Sequence, residues 1–405
     1  MYIPSAKEGR QEFVGTKLVF YLTTTSSFAA LGLSQTLVDA VAEQGYTQPY
    51  PIQQQAIPAI LTGRDILGIA KTGSGKTASF ALPILQRFAG RKGAGRRSMR
   101  VLVLVPTREL AVQVAEVFQT FGEYLKTPLQ TVAVFGGVSA NPQMIALRNA
   151  EIVVATPGRL LDLIDQNAAD LSTIDTLVLD EADKMLDLGF AEEMNQVLAQ
   201  VPQQRQTLLF SATLGDAIQD IRDNLLRAPI LIDIAEPEQS IDQIQQRAYR
   251  VDAERKGPLL RYLIKHDAMQ QVLVFVSSTR TADNLVVKLT KNGIQAAAIH
   301  GDKSQGARTD ALSRFKNGKL TVLVATDLIA RGIDIQGLPH VINFELPRSP
   351  KDYVHRIGRT GRADAQGEAI SLITPDDEHH FKVIQKKMGK RVEMLPSSDI
   401  NLQGY

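Results

Sequence analysis

The chain reads as an α/β protein of two tandem domains, each a mostly parallel sheet flanked by helices, joined by a short linker. Three observations predict this. Short β-branched runs alternate with stretches of helical period over most of the length, the pattern of βαβ units. The alternation breaks once, at IAEPEQSIDQIQQ (234–246), where Pro237, acidic residues and glutamines interrupt the apolar period. It then resumes for a comparable length, dividing 405 residues into two units that can each bury a core.

Taken in order, residues 1–27 carry Lys7, Glu8, Arg10 and Glu12, then a short KLVFYL stretch and a TTTSS run. Charges on both sides of so short an apolar core argue against a signal peptide, and a poorly ordered leader is expected. A first domain over 28–234 has its strands at DILGIA (65–70), VLVLV (101–105), TVAVF (131–135), EIVVA (151–155), TLVLD (176–180) and TLLFSA (207–212). ELAVQVAEVFQTF (109–121) and AIQDIRDNLL (217–226) space their apolar residues three and four apart, as helices do. The linker is placed at 235–245. A second domain over 246–390 follows, with strands at VLVFV (272–276), AAAI (296–299), TVLVA (321–325), HVINF (340–344) and EAISLI (368–373), then a short tail at 391–405. GRKGAGRR (90–97) reads as a solvated connection. No apolar run approaches the roughly 20 residues of a bilayer span, so no membrane partner is expected.

Composition excludes more than it suggests. With 44% hydrophobic and 22% charged residues the chain is neither disordered nor fibrous. It has no cysteine, which removes disulfides, thiolate metal sites, iron–sulfur clusters and cysteine nucleophiles, and suits a reducing cytoplasm. Forty-five Lys and Arg against 43 Asp and Glu leave a net charge of +2, too small to point to nucleic acid.

The chemistry sits in motifs. AKTGSGKT (70–77) lies between an expected strand and the helix TASFALPILQRF, the setting a phosphate loop requires. Gly73 and Gly75 permit backbone conformations closed to other residues, so that N–H groups along Thr72–Thr77 converge on phosphate oxygens with Ser74 between them. Lys76 reaches the β- and γ-phosphates, the Thr77 hydroxyl ligates Mg²⁺, and the helix adds its positive end. LVLDEAD (177–183) ends a strand with Asp180 and Glu181, where ligands bind open α/β sheets. Asp180 suits a Mg²⁺ ligand and Glu181 the base that activates water. The usual loop pattern has glycine where Ala70 stands.

Asp180-Glu181-Ala182-Asp183 together with AKTGSGKT resembles the DEAD-box RNA helicases of helicase superfamily 2, which accept alanine at that loop position. The resemblance runs from Phe28 to about Lys390. IHGDKSQGART and HVINFELP are most similar to its bacterial RhlE-type branch. It implies tandem RecA-like domains, ATP and Mg²⁺ as substrate and cofactor, and RNA as partner, with ribonucleoproteins or the RNA-decay machinery as the wider partner class. GYTQPYPIQ (45–53) resembles the adenine-recognition segment: Gln53 meets the base edge, Tyr46 stacks on the base, and Phe28 lies upstream at the family's spacing. PTREL (106–110), Gly136-Gly137 and TPGR (156–159) resemble RNA-backbone motifs, which assigns Arg108, Gly137, Thr156 and Arg159 to RNA. SAT (211–213) resembles the coupling motif, with Ser211 and Thr213 bonding toward Asp183.

In the second domain Gln305 and Arg308, three apart on an expected helix, are assigned to RNA with Thr326. ATDLIARGID (325–334) brings Gly332 and Asp334 to the nucleotide, Asp334 at the ribose. HRIGRTGR (355–362) supplies the arginine fingers Arg359 and Arg362, with His355 as a coupling residue. The activity implied is RNA-stimulated ATP hydrolysis coupled to cleft closure and local, sequence-independent unwinding of short duplexes. The alternative carried with it is an ATP-gated RNA clamp or remodeller with little net unwinding.

Overall fold

The computed structural model describes residues 27–70, 73–88, 98–127, 129–234, 244–327, 337–361 and 367–405. Strands β1 (Ile66–Ile69), β2 (Val101–Leu104), β3 (Thr131–Val134), β4 (Ile152–Ala155), β5 (Thr176–Leu179), β6 (Gln206–Ser211) and β7 (Ile230–Asp233) form one sheet, in the order β3-β4-β2-β5-β6-β1-β7. A second sheet joins β8 (Ile244–Arg250), β9 (Val272–Val276), β10 (Ala296–Ile299), β11 (Val322–Thr326), β12 (His340–Asn343), β13 (Gly367–Ile373) and β14 (Met394–Pro396), in the order β10-β11-β9-β12-β13-β8-β14. Every described pairing in both is parallel. Parallel strands must be covered on both faces, and the core divides accordingly. One face of the first sheet packs Phe80, Phe118 and Phe210 under the helices; the other packs Leu102, Val153, Leu177 and Leu209.

Three strands lie outside those expected. Ile230–Asp233 is a short edge strand on β1, with Leu231 exposed. IQQRAYR (244–250) reads as a broken apolar period, yet it is β8, paired along its whole length to β13. Its polar positions are used: Arg247 pairs with Glu368 at 2.5 Å and with Asp267 at 3.4 Å. The second domain therefore begins within the stretch assigned to the linker, and the rest of that linker, 235–243, lies outside the described residues. The expected tail at 391–405 contributes Met394–Pro396 to the sheet edge, where a proline is tolerated. Leu395 of that strand and, beyond it, Ile400 and Leu402 pack on the second core, and Arg255 donates to the Ser397 and Ile400 carbonyls. The leader, 1–26, and GRKGAGRR (90–97) also lie outside the described residues.

Candidate active site

The loop between β1 and helix Lys76–Phe88 leaves the carboxyl end of a strand flanked by β6 and β7; the Ala70 N–H donates to the Ser211 carbonyl of β6 at 3.0 Å. Gly73 and Gly75 stand at φ of 80° and 87°. A Cβ on Gly75 would lie 2.6 Å from Gln53 Nε2, so both backbone angle and space demand glycine. Lys76 is buried with its Nζ 4.0 Å from Asp180 Oδ1. Lys76 Nζ, Asp180 Oδ1 and Ser74 Oγ are all buried without a hydrogen-bond partner. Such orphaned polar atoms are costly unless a ligand completes them. Phosphate oxygens suit the ammonium and the hydroxyl, and a divalent cation suits the carboxylate. The residues therefore fit a nucleotide with its ion. Among the described residues no cluster of three or more metal-ligating side chains exists. Thr77 is half-buried in the first helical turn; Thr72 lies outside the described residues.

Asp180 follows β5, and burial pushes its carboxyl up to about 6, with Lys76 pulling it down and Glu181 raising it again. Glu181 adopts φ 55° and ψ 46°, a left-handed conformation uncommon outside glycine and asparagine. This turn starts helix Ala182–Asp187 and carries the Glu181 carboxylate to Lys184, whose Nζ lies 2.7 Å from Oε2. Asp183 Oδ2 accepts from the Ala212 N–H at 3.2 Å and the Thr213 hydroxyl at 3.4 Å. Ser211 behaves otherwise than expected. Its hydroxyl donates to the Thr213 carbonyl at 2.8 Å and accepts from the Thr213 N–H, closing a tight turn that aims Thr213 at Asp183.

Gln53 is fully buried; it accepts from the Tyr50 N–H at 2.9 Å and donates to the Gly75 carbonyl at 3.1 Å. Its amide ties the segment to the phosphate loop. Phe28 is likewise a core residue, set edge-on to Tyr46 with centroids 6.3 Å apart. Tyr46, half-buried between Phe28 and Phe121, is the one ring of the pair with an exposed part.

The RNA-assigned residues of the first domain converge, because β3, β4 and β2 are neighbours and each ends in one of their loops. The Arg108 guanidinium occupies the space where a Gly137 side chain would stand, and Gly137 has φ 77°. Arg159 donates to the Val138 carbonyl at 3.0 Å, while its Nη1 is buried without a partner. Thr156 starts helix Pro157–Asp165, its N–H held by the Val134 carbonyl at 2.9 Å.

The second domain corrects one assignment. Arg308 does share a face with Gln305, donating to its Oε1 at 2.6 Å. Yet it is only 3% exposed, paired at 2.8 Å with Glu109, itself 6% exposed, on the first domain's PTREL segment. In this arrangement Arg308 is a contact between domains rather than an open RNA contact. Thr326 ends β11, half-buried. Arg359 is buried, and its charge bears on Lys184 across the domains, helping burial hold that ammonium below its ordinary range. His355 is exposed in the last turn of helix Pro350–Ile357. Gly332, Asp334 and Arg362 lie outside the described residues.

Four residues were missed by motif reasoning. Glu109 and Lys184 are described above. Arg356 and Asp327 form a bidentate pair at 2.5 and 2.7 Å, with Arg356 also donating to Asn343 Oδ1 and the Glu345 carbonyl and stacked over Phe275. Each lies inside or beside a quoted motif, and a charge beside a phosphate-directed residue was the available signal.

A phosphate loop with an acidic pair on one parallel-sheet domain, met by an arginine from a second, defines a two-domain phosphate-loop nucleoside triphosphatase. Comparison with known proteins narrows it. The family model described as DEAD/DEAH box helicase matches residues 50–221, and that of the helicase conserved C-terminal domain matches 255–364. The chain is 40% identical to the DEAD-box ATP-dependent RNA helicase CshA of Bacillus cereus, over 94% of this chain and 72% of that one. It is 38% identical to RhpA of Helicobacter pylori, over 93% and 75%. Among solved structures, S. cerevisiae Dbp5 bound to RNA and ADP BeF3 superposes with a TM-score of 0.78 at 31% identity, covering 92% of this chain and 96% of that one. A DEAD box protein from Methanococcus jannaschii gives 0.51 at 35%, covering 91% and 99%. The chain belongs to the DEAD-box ATP-dependent RNA helicases, and its two seven-stranded sheets are tandem RecA-like domains. These relatives are named CshA and RhpA, not RhlE.

Proposed function

We propose that joint binding of ATP and RNA closes the second domain onto the first, completes the hydrolytic site and holds one RNA strand bent away from its complement. The buried Glu109–Arg308 pair, 2.8 Å long between the two domains, is the observation that carries this reading. It brings the second domain onto the first domain's PTREL segment, while Arg359 of the second domain is near enough for its charge to bear on Lys184, which holds the base Glu181 at 2.7 Å. ATP lies with its phosphates over 72–77, where Lys76 and Ser74 offer unsatisfied donors. Tyr46 offers its exposed part to the base, Gln53 sets the loop height beneath it, and Asp334 and Gly332 line the ribose side. Thr77 and Asp180 would hold Mg²⁺, which would supply positive charge to offset that of the bound phosphates. Glu181 orients and deprotonates the attacking water, while Lys76, Arg359 and Arg362 stabilise charge on the transferring phosphoryl. Thr213 and Asp183 link that site to the RNA face, and His355 bonds across the closed interface.

RNA lies across Arg108, Gly137, Thr156, Arg159, Gln305 and Thr326, read through phosphate and 2′-OH without base preference. Hydrolysis then reopens the cleft. The structural neighbour Dbp5 is bound to RNA and ADP BeF3 together, which supports joint binding of RNA and nucleotide. IHGDKSQGART and HVINFELP support an RhlE-type affiliation within the family, and the cysteine-free composition supports a cytoplasmic setting. No helix among the described residues is long and apolar enough to cross a membrane. Ribonucleoprotein or RNA-decay assemblies are the partners this activity suits.

Steady-state ATPase with and without RNA, on wild type and Glu181→Gln, tests it. Loss of the base should cost about 10²–10⁴-fold in turnover. A wild-type rate indifferent to RNA would overturn coupled closure, and a normal rate for Glu181→Gln would overturn the base. Equal RNA residence times with ATP and with a non-hydrolysable analogue would favour the clamp.

A further inference from the structure

We infer that the second domain carries a separate anion-binding groove, at the β8–β14 edge, that takes the phosphate backbone of an RNA segment flanking the strand held by the core. A cavity of about 900 Å³ opens there, between the end of helix Glu378–Met388 and the turn leading into β14. Lys382 and Lys386, one helical turn apart, line it from the same face. Gly389, at φ 72°, ends the helix and turns the chain so that Lys390 and Arg391 line it as well. Glu393 is the one acid in the lining. Lys390 is anchored on the Ile244 carbonyl at 3.4 Å, and Gln385 accepts from the Val392 N–H at 2.8 Å, so the walls are held by the fold. Lys382, Lys386 and Arg391 have no ion-pair partner among the described residues.

Lysines near a helix carboxyl end also complement the helix dipole. That does not account for the groove, since Lys387, equally placed for the dipole, does not line it while Lys382, a turn earlier, does. Protein partners anchor through apolar side chains in desolvated pockets. The groove's surface is more apolar than polar, but its apolar side chains are only Val392, sealed in the core, and half-buried Met394. The rest of its walls include four long cationic side chains, so no large apolar side chain of a partner has a desolvated pocket here while phosphates meet four charged heads. Lysines meeting phosphates without base contacts are the chemistry of backbone binding. The groove is distinct from the core RNA face: Thr326 ends β11, and four strand spacings, about 19 Å, separate β11 from β8. Two contacts on one RNA reinforce each other through effective concentration, so a structured RNA gains affinity that a short strand cannot.

The test compares wild type with Lys382→Gln/Lys386→Gln, using Lys387→Gln as an off-groove control and thermal melting to verify folding. Affinity is titrated against salt for a short single strand and for the same strand extended by a duplex arm. For the extended RNA the double variant should bind more weakly, with the log–log salt slope shallower by about 1.4–1.8, two contacts at about 0.7–0.9 each. Short-strand affinity and short-strand-stimulated ATPase should not change. Equal weakening on both RNAs would overturn a separate site, since the lysines would then serve the core face; loss of short-strand stimulation in wild type itself would instead indict the core reading on which this one rests. Unchanged binding of both, or binding of polyglutamate lost while RNA binding persists, would overturn RNA as the ligand.

Discussion

Removing the Glu109 carboxylate tests what holds the two domains in this arrangement. The pair it makes with Arg308 is 2.8 Å long and almost wholly buried. Deleting one partner of a buried ion pair typically costs about 3–5 kcal/mol, because the remaining charge stays desolvated. Arg308 keeps its bond to Gln305 in Glu109→Gln, which argues for the lower end, about 3 kcal/mol. The pair joins domains, so the stranded guanidinium can be rehydrated by separation without unfolding either sheet. The cost should therefore appear in the docking equilibrium, as a shift of about a hundredfold toward separated domains. The chain has no cysteine, so one introduced in each domain takes dyes without competition, and single-molecule energy transfer reads the distribution directly. Glu109→Arg combined with Arg308→Glu should restore much of the docked population. A distribution unchanged in Glu109→Gln, or unfolding of a domain in place of separation, would refute the assignment.

Three further outcomes follow from the same geometry. Asp180, raised from 3.8 to about 6 by burial, binds its proton more tightly folded than unfolded; its stabilising contribution is complete below about 4 and lost as pH rises through about 6. Urea melts of ligand-free wild type and Asp180→Asn should hence tilt toward the variant by up to about 3 kcal/mol between pH 4 and 7. Arg356→Lys cannot reproduce the fork on Asp327 or the bonds to Asn343 and Glu345, and should cost the second domain about 3 kcal/mol by denaturant unfolding. Gly137→Ala sets a methyl where the Arg108 guanidinium lies and adds about 1–2 kcal/mol of left-handed strain. RNA-stimulated ATPase should fall about tenfold or more in that variant, with RNA-independent ATPase unchanged.

Legibility followed the range of the physics. The central strands are short β-branched runs buried on both faces, as at Val101–Leu104 and Val272–Val276, and they stand out in any reading of the chain. β8 and β14 do not, because three consecutive polar residues, Gln245, Gln246 and Arg247, break the apolar pattern of the first and the second is only three residues ending in Pro396; both became strands through pairing with distant segments. Ser211 bonds Thr213 where Asp183 was expected, and Gln53 bonds the phosphate loop as well, since a hydroxyl or amide bonds whatever the folded backbone brings within about 3 Å.

By itself, then, the sequence carried the candidate chemistry: Lys76, Asp180 and Glu181 are marked by motifs that are each one strand and its following loop, and Arg359 by the resemblance of HRIGRTGR at the end of helix Pro350–Ile357, all of them local objects. Which face each charge meets was decided by the tertiary structure. Arg308 carries the same guanidinium whether it binds phosphate or Glu109, and only the approach of a residue 199 positions away settled its partner. The same holds for Lys382 and Lys386, surface lysines in the sequence and walls of one groove once β14 closes its edge.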